Sequence, residues 1–399
     1  MQPIKLDIEG QFWDSQIYSG ILYLFTLNGE IISVNWDRLL DELNIEDYLK
    51  LALTCSFSRS DYLYNTEFSL LFNDPEVKQV IISKFSDLSN KELFISKSQI
   101  ERCTLTKQNN PFPFPHSDSI IYRNSIYTSS KDGIHRATCN RRKNKYVVST
   151  KKERKWDAPS LSISANYRSL AIAAGDEGLY QIGLESKYFN DESNFREPKQ
   201  LSSSNCSDCG WTFYSIFASS HLSDGYHAAF EKKSDNNHVH REFKEIKYSG
   251  SIFNETGYSW GMQDKIYLVK NDKISIIKYS PWHSKDNREY GKLGEIQLEN
   301  WKGNFVSAKN ALFGILVECE NAIIVKLSDG DIFNIHNEPV NWRVFPASKR
   351  YENQLHVINS DKLSIYSFNQ DYFVDQRMKK IGSQYYKFKI RQNFLIHED

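Results

Sequence analysis

The chain has 399 residues, and its 50 Lys and Arg are matched by 50 Asp and Glu, so the formal net charge is zero. A hydrophobic share of 40% is too high for a disordered chain. No run of about 18 apolar residues exists to span a membrane, and neutrality excludes a bulk nucleic-acid coat.

The first residues, Met1 to Glu9, lack the apolar core of a signal peptide. Six cysteines (Cys55, Cys103, Cys139, Cys206, Cys209 and Cys319) are too few and too scattered for a secreted disulfide scaffold. Reduced thiols and a cytoplasmic location are therefore expected, with no membrane partner.

One pattern recurs along the chain: a short apolar strand, a turn on Asp, Asn or Gly, then a second strand of alternating apolar residues. It first reads Ile21 to Phe25, Asn28-Gly29, then Ile31, Ile32 and Val34. Between this copy and the next, Leu39, Leu40, Leu43, Tyr48, Leu49 and Leu51 recur at helical spacing. A second helix is predicted over Pro75 to Leu88, capped by Asn73 or Asp74, with Val77, Val80, Ile81 and Phe85 on one face. The hairpin returns at Ser125 to Ile134 around Asp132-Gly133, at Leu170 to Ile182 around Asp176 to Gly178, and at Tyr226 to Phe230 with a turn near Asp235. Three more copies follow: Lys265 to Ile277 around Asn271-Asp272, Ala322 to Ile335 around Asp329-Gly330, and Leu355 to Tyr366 around Asp361. Asn-Gly and Asp-Gly tolerate the positive φ of tight hairpins, and period-2 alternation means strand.

Apart from the first interval, the turn spacings scatter around the roughly 40–50 residues of a four-stranded propeller blade. The expectation is an all-β, seven-bladed β-propeller, a single domain over 1–399, with an α-helical insertion at 37–100 between blades one and two. Lys5 to Trp13 and Gln384 to Ile390 are candidates to complete the last sheet, because an open array would leave edges exposed.

The stretch Glu30-Ile31-Ile32-Ser33-Val34-Asn35-Trp36-Asp37 is a third strand running into Trp-Asp, and Trp13-Asp14 and Trp156-Asp157 repeat the dipeptide. On these residues the chain resembles a WD40-like β-propeller. No Gly-His dipeptide occurs, and five of the seven hairpins lack Trp-Asp. The resemblance implies a rigid platform that binds other proteins.

The neutral total hides local asymmetry. Residues 131–155 carry ten cations, Lys131, Arg136, Arg141, Arg142, Lys143, Lys145, Lys151, Lys152, Arg154 and Lys155, against Asp132 and Glu153. Residues 376–391 add Arg377, Lys379, Lys380, Lys387, Lys389 and Arg391 with no acid. A basic surface facing an acidic protein or phosphate is one reading, and a solvated loop between blades is the other. On the insertion, Asp41, Glu42, Glu46 and Asp47 cluster on the helix over 37–51. The basic 141–155 segment (Arg141, Arg142, Lys143, Lys145, Lys151, Lys152, Arg154 and Lys155) and the exposed side of this helix are the candidate partner-binding sites. Tyr146, Trp156, Tyr385 and Tyr386 interleave aromatics with the cations, as a nucleic-acid-binding subunit would need.

Cys206-x-x-Cys209, with His238 and His240 downstream and His221 and His227 between, has weak zinc-ligand spacing, and loop residues are the simpler reading. Gly257-Tyr258-Ser259-Trp260-Gly261 matches a nucleophile elbow, but Lys265 to Val269 after it reads as strand where that motif needs a helix. No phosphate loop, GxGxxG or HExxH occurs. The reading is a non-catalytic interaction scaffold within a larger complex, with no cofactor. A nucleic-acid-binding subunit, or a propeller hydrolase or lyase with its site at the central mouth, are the alternatives.

Overall fold

A computed structural model of the chain describes residues 2–63, 68, 71–72, 74–142, 145–184, 198–235, 238–282, 289–298, 304–336 and 338–369. The first strand, β1 (Ile4–Glu9), belongs to the last blade. Blade one is β2 (Phe12–Tyr18), β3 (Ile21–Thr26) and β4 (Glu30–Asn35); β5 (Leu93–Ile95) lies in the insertion, and β6 (Thr104–Asn109) then returns as the outermost strand of blade one. Blade two is β7 (Asp118–Tyr122), β8 (Ser125–Ser130) and β9 (Gly133–Arg142), with a divided outer strand, β10 (Lys145–Val148) and β11 (Glu153–Trp156). Blade three is β12 (Ser162–Asn166), β13 (Ser169–Ala173), β14 (Leu179–Gly183) and β15 (Lys199–Ser202). Blade four is β16 (Asp208–Thr212), β17 (Ser215–Ser219), β18 (Tyr226–Asp235) and β19 (His238–Tyr248). Blade five follows as β20 (Tyr258–Met262), β21 (Lys265–Lys270), β22 (Lys273–Tyr279) and β23 (Tyr290–Gln297). Blade six is β24 (Phe305–Ala311), β25 (Gly314–Cys319), β26 (Ala322–Leu327) and β27 (Ile332–Ile335). Blade seven is β28 (Asn341–Val344), β29 (Gln354–Ile358) and β30 (Lys362–Ser367), to which β1 adds as fourth strand and β5 as fifth. This is the expected seven-bladed β-propeller.

By contact the chain divides into two units, Met1–Asn109 with Lys302–Asp399, and Asn110–Trp301. The first unit holds blades one, six and seven with the insertion; the second holds blades two to five. In each unit the core lies between neighbouring blades. Ile172 and Ile182 of blade three pack with Tyr127 and Ile134 of blade two, and Ala171 and Leu179 with Ile216 and Tyr226 of blade four. A second strand flanked by two sheets has no solvent face, so β3, β8, β13, β17 and β29 are buried at every residue. The first four are accordingly unbroken apolar or small runs rather than alternating ones, while β29, Gln-Leu-His-Val-Ile, buries Gln354 and His356 as hydrogen-bonded polar groups.

Four hairpins fall between second and third strands as expected, at Asn28, Asp132, Asp176 and Asn271. So does the last, at Asp361. The turns at Asp235 and Asp329 instead join third and fourth strands, β18 to β19 and β26 to β27. In blade four the second-to-third connection is residues 220–225, which end in an Asp-Gly of their own, Asp224-Gly225, and in blade six it is Glu320-Asn321, which has no glycine. The C-terminal candidate, Gln384 to Ile390, lies outside the described residues.

The insertion lies in chain order between the first hairpin and blade two. It contains α1 (Trp36–Asp41), α2 (Lys50–Phe57), α3 (Pro75–Ser89) and α4 (Lys97–Cys103). The single helix expected over 37–51 is broken: after α1 the chain turns through Asn44 at φ 46°, and a 3-10 turn at Asp47–Leu49 leads into α2. A left-handed residue cannot continue an α-helix, and asparagine is among the few that adopt it readily. The helix at Pro75 is as expected. Asp74 is its cap, accepting from the Glu76 and Val77 amides at 3.0 and 3.2 Å. Ile81 and Phe85 are buried, Val77 is half-buried, and Val80 is exposed, because the face turned inward continues through Leu88 instead. Trp36 is fully buried, and its indole N–H donates to the Phe57 carbonyl at 2.6 Å, joining α1 to the end of α2.

The strand ladders are reinforced by buried polar links. Asp14 on β2 is fully buried and pairs with Arg343 of β28, whose Nη2 donates to Asp14 Oδ2 at 2.8 Å. His356 on β29 receives the Ser15 hydroxyl at Nδ1 (3.0 Å) and donates from Nε2 to Gln354 Oε1 (3.2 Å). In blade four, His227 lies between Thr212 Oγ1 (2.7 Å) and the Tyr290 hydroxyl of blade five (2.8 Å). Both imidazoles are fully buried, and burial pushes each down to about 3.

Two outcomes are expected. Asp14→Ala strands the Arg343 guanidinium in the interior, at a cost of about 3–5 kcal/mol in urea unfolding at neutral pH; a loss below about 1 kcal/mol would mean that the pair is not buried as described. The two histidines stay neutral when folded but gain protons below about 6.5 when unfolded. Stability is therefore full above pH 6.5 and declines as pH falls toward 3, each histidine adding up to about 1.4 kcal/mol per pH unit. Unfolding between pH 7 and 4 should be shallower in pH for His227→Gln and His356→Gln than for the native chain.

Candidate interaction surfaces

Of the basic stretch 131–155, residues 133–142, 145–148 and 153–156 are strands on the outer side of blade two, whereas Lys131 and the Lys151-Lys152 pair lie in the turn and loop between strands. β9 is long enough to serve two partners. Its first part pairs with β11 (Arg136 opposite Glu153, His135 opposite Arg154), and its second part with β10 (Cys139 opposite Val148, Arg142 opposite Lys145). An outermost strand has one solvated edge, so it holds charged residues without burying them.

Lys131, Lys151, Lys152 and Arg154 are exposed. Glu153 is shared by Arg136, at 3.5 Å, and Lys155, at 2.5 Å. Arg154 donates to the Asp157 carbonyl at 3.0 Å. Burial, then the nearby Lys152 and Arg154 charges, lower the His135 pKa. Among the described residues Lys131, Lys151 and Lys152 have no ion pair. Arg141, Arg142 and Lys145 lie on the β9–β10 hairpin, but their side chains, like Lys143 as a whole, are outside the described residues, as is 376–391 with its cations.

The acidic residues of the insertion are mostly engaged within it. Glu42, beyond α1, binds Arg102 of α4 at 2.7 Å. Glu46 binds Lys91 at 2.6 Å, and Asp47 binds Lys50 at 2.6 Å. These hydrogen bonds hold the Glu46 and Asp47 carboxyls below their ordinary range and raise Lys91 and Lys50. Asp41 is exposed. Beside these acids Tyr48 and Val80 are 50% and 55% exposed, and Lys84 donates to the Tyr48 carbonyl.

The Cys-x-x-Cys pair is not in a loop. Cys209 lies on β16, and Cys206 forms an isolated bridge with Gly175; both are buried in the apolar core between blades three and four. Burial pushes both thiols up, away from thiolate. His221 stacks on Tyr258 at 4.7 Å, and His240 lies on β19 opposite Lys233. The His238 side chain is outside the described residues. Among the described residues no group of three His, Cys, Asp or Glu is arranged to hold a metal. All six cysteines are free. Ser259 of the Gly-Tyr-Ser-Trp-Gly match is fully buried in β20, with no turn to present it. No helix of the described residues is long and apolar enough to cross a membrane.

Sequence reasoning missed the connections between first and second strands. In blades one to five they are two-residue turns, at Ser19-Gly20, Arg123-Asn124 and Tyr167-Arg168 with φ between 47° and 78° at both positions, and at Phe213 (53°) and Gln263 (57°) with positive φ at the first. Only Gly20 and Asn124 are residues that announce such a turn.

No family model matches the chain, and no curated protein sequence matches it. Solved structures similar to it include the WD40 domain of Neurospora crassa Pan2, 8% identical over 90% of each chain with a TM-score of 0.45. BamB from Moraxella catarrhalis is 8% identical over 88% of this chain and 82% of its own, with a TM-score of 0.39. The WD40 β-propeller domain of Doa1 is 8% identical over 65% of this chain and 98% of its own, with a TM-score of 0.35. The sheet order described above, with an N-terminal strand completing the last blade, is that of a seven-bladed β-propeller.

Proposed function

We propose that the chain is a non-catalytic protein-interaction scaffold, a subunit of a larger assembly in the cytoplasm, presenting the basic edge of blade two and the helical insertion to partner proteins. Fold alone does not select a function. The observation that carries this reading is the edge of blade two, where Lys131, Lys151, Lys152 and Arg154 are exposed and the neighbouring Glu153 is already shared by Arg136 and Lys155. Cations so placed repel one another, and the carboxylates of an acidic partner relieve that repulsion while steering its approach. The same charges discourage edge pairing with a second copy of this chain. The insertion supplies a second contact through Asp41, Tyr48 and Val80. Six free thiols suit a reducing compartment.

The test is affinity purification with quantitative mass spectrometry, comparing the native chain with a Lys151→Glu, Lys152→Glu, Arg154→Glu variant. A defined set of proteins should be recovered about tenfold less with the variant, and less with the native chain as salt rises from about 50 to 500 mM. These exposed positions should leave the melting temperature within about 2 °C. Equal recovery of the same proteins by both chains would refute the assignment.

A further inference from the structure

The two-residue turns of blades two, three and four share a feature that tight turns ordinarily avoid. Tyr167, Arg168 and Phe213 have φ of 47°, 57° and 53°, and Arg123 has 49°. Glycine or asparagine occupies such positions without strain, whereas bulky side chains there are outliers. Backbone strain of this kind persists where the side chain has a use.

The side chains at these turns form one row, linked blade to blade. Arg123 lies over the Tyr122 ring at 5.6 Å, and the Tyr122 hydroxyl accepts the Arg168 amide of blade three at 3.2 Å. Tyr167 then meets Trp211 of blade four at 6.1 Å. Phe213 meets Trp282, beyond the third strand of blade five, edge-on at 5.0 Å, and Lys232 lies over Tyr214 at 5.2 Å. Arg123 and Lys232 are exposed, Trp282 is 59% exposed, and Tyr122, Tyr167 and Phe213 are half-buried. No carboxylate occurs in residues 121–125, 165–169 or 211–215.

We propose that this row binds single-stranded nucleic acid. Aromatic rings held by neighbouring blades offer faces on which successive bases stack, and the cations beside them meet the phosphates. An acidic polypeptide would satisfy Arg123 and Lys232 but, unlike a nucleic acid, does not bring an aromatic ring with every charged unit to stack on Tyr167, Phe213 and Trp282. The row is separate from the charged edge on which the scaffold reading rests, so either can fail alone.

The test is fluorescence polarisation of the full chain with a labelled oligouridine of about 15 nucleotides. Binding should weaken steeply with salt. Tyr167→Asn with Phe213→Asn keeps residues that accept positive φ but gives up ring contacts with the blade cores, so the double variant should stay folded at the assay temperature while losing about tenfold or more in affinity. Arg123→Glu with Trp282→Ala alters only exposed side chains, and should lose affinity to a similar degree; this pair decides the matter if the first variant does not fold. The proposal is overturned by no binding at about 50 mM salt, by unchanged affinity in either pair, or by equally tight binding of poly-glutamate. A double asparagine variant that melts lower and binds as before would mean that the rings merely seal the ends of the blade cores.

Discussion

The ladder between β1 and β30 is the interaction on which the first unit depends. Blade seven has only three strands of its own in chain order, and its fourth comes from residues 4–9, with Ile4 opposite Ser367 and Glu9 opposite Lys362. Alternation along β1 places Ile4, Leu6 and Ile8 in the core and Lys5, Asp7 and Glu9 on the other face. Asp7 then works across the ladder, accepting from Lys362 at 2.8 Å and Ser364 at 2.6 Å. Partial burial opposes its ionisation, but those bonds and Lys5 keep the carboxyl below its usual range. The free side of β1 is covered in turn, since β5 pairs with it in parallel, Leu6 opposite Leu93.

That second pairing makes the insertion part of the propeller's own packing. Its helices share one core with blades one and seven, including Trp36, Phe57, Phe85 and Leu88 with Leu363 and Ile365. Polar groups follow the same route: Asn353 and Gln354 of blade seven donate to carbonyls at the end of α2, Ser56 at 3.1 Å and Phe57 at 2.7 Å. A helix C-terminus leaves unsatisfied carbonyls, and here side chains from the sheet satisfy them. The insertion is thus held at both its chain connections and its core.

The parts of the fold legible in the sequence are those where chemistry is local. Asn28-Gly29 and Asp132-Gly133 announce hairpins because few other residues take positive φ at low cost. The helix at Pro75 is legible from its proline, its Asp74 cap and its apolar spacing. The turns at Tyr167-Arg168 and Phe213 were illegible for the converse reason: their conformation is imposed by the register of strands on either side, Asn166 opposite Ser169 and Thr212 opposite Ser215. The break at Asn44 was hidden because leucines on α1 and α2 keep a helical rhythm across it. The basic run of blade two was visible as charge, yet the strand character of its 133–142, 145–148 and 153–156 parts was not. Solvated outer strands such as β11 carry no apolar alternation, and β9 assigns its two halves to different partners.

The pairing of residues 4–9 with 362–367 also orders events during synthesis. At roughly 5–20 residues per second, β1 waits on the order of tens of seconds before its partner strand exists. During that wait Ile4, Leu6 and Ile8 are a short apolar strand with unpaired edges, the kind of segment that recruits other nascent chains. Lys5, Asp7 and Glu9, interleaved between them, serve as gatekeepers: two signs of charge on a single six-residue strand oppose stacking on identical copies while leaving the apolar face ready for its distant partner. The alternation that divides β1 between core and surface in the finished protein is also what lets the unfinished one stay out of aggregates.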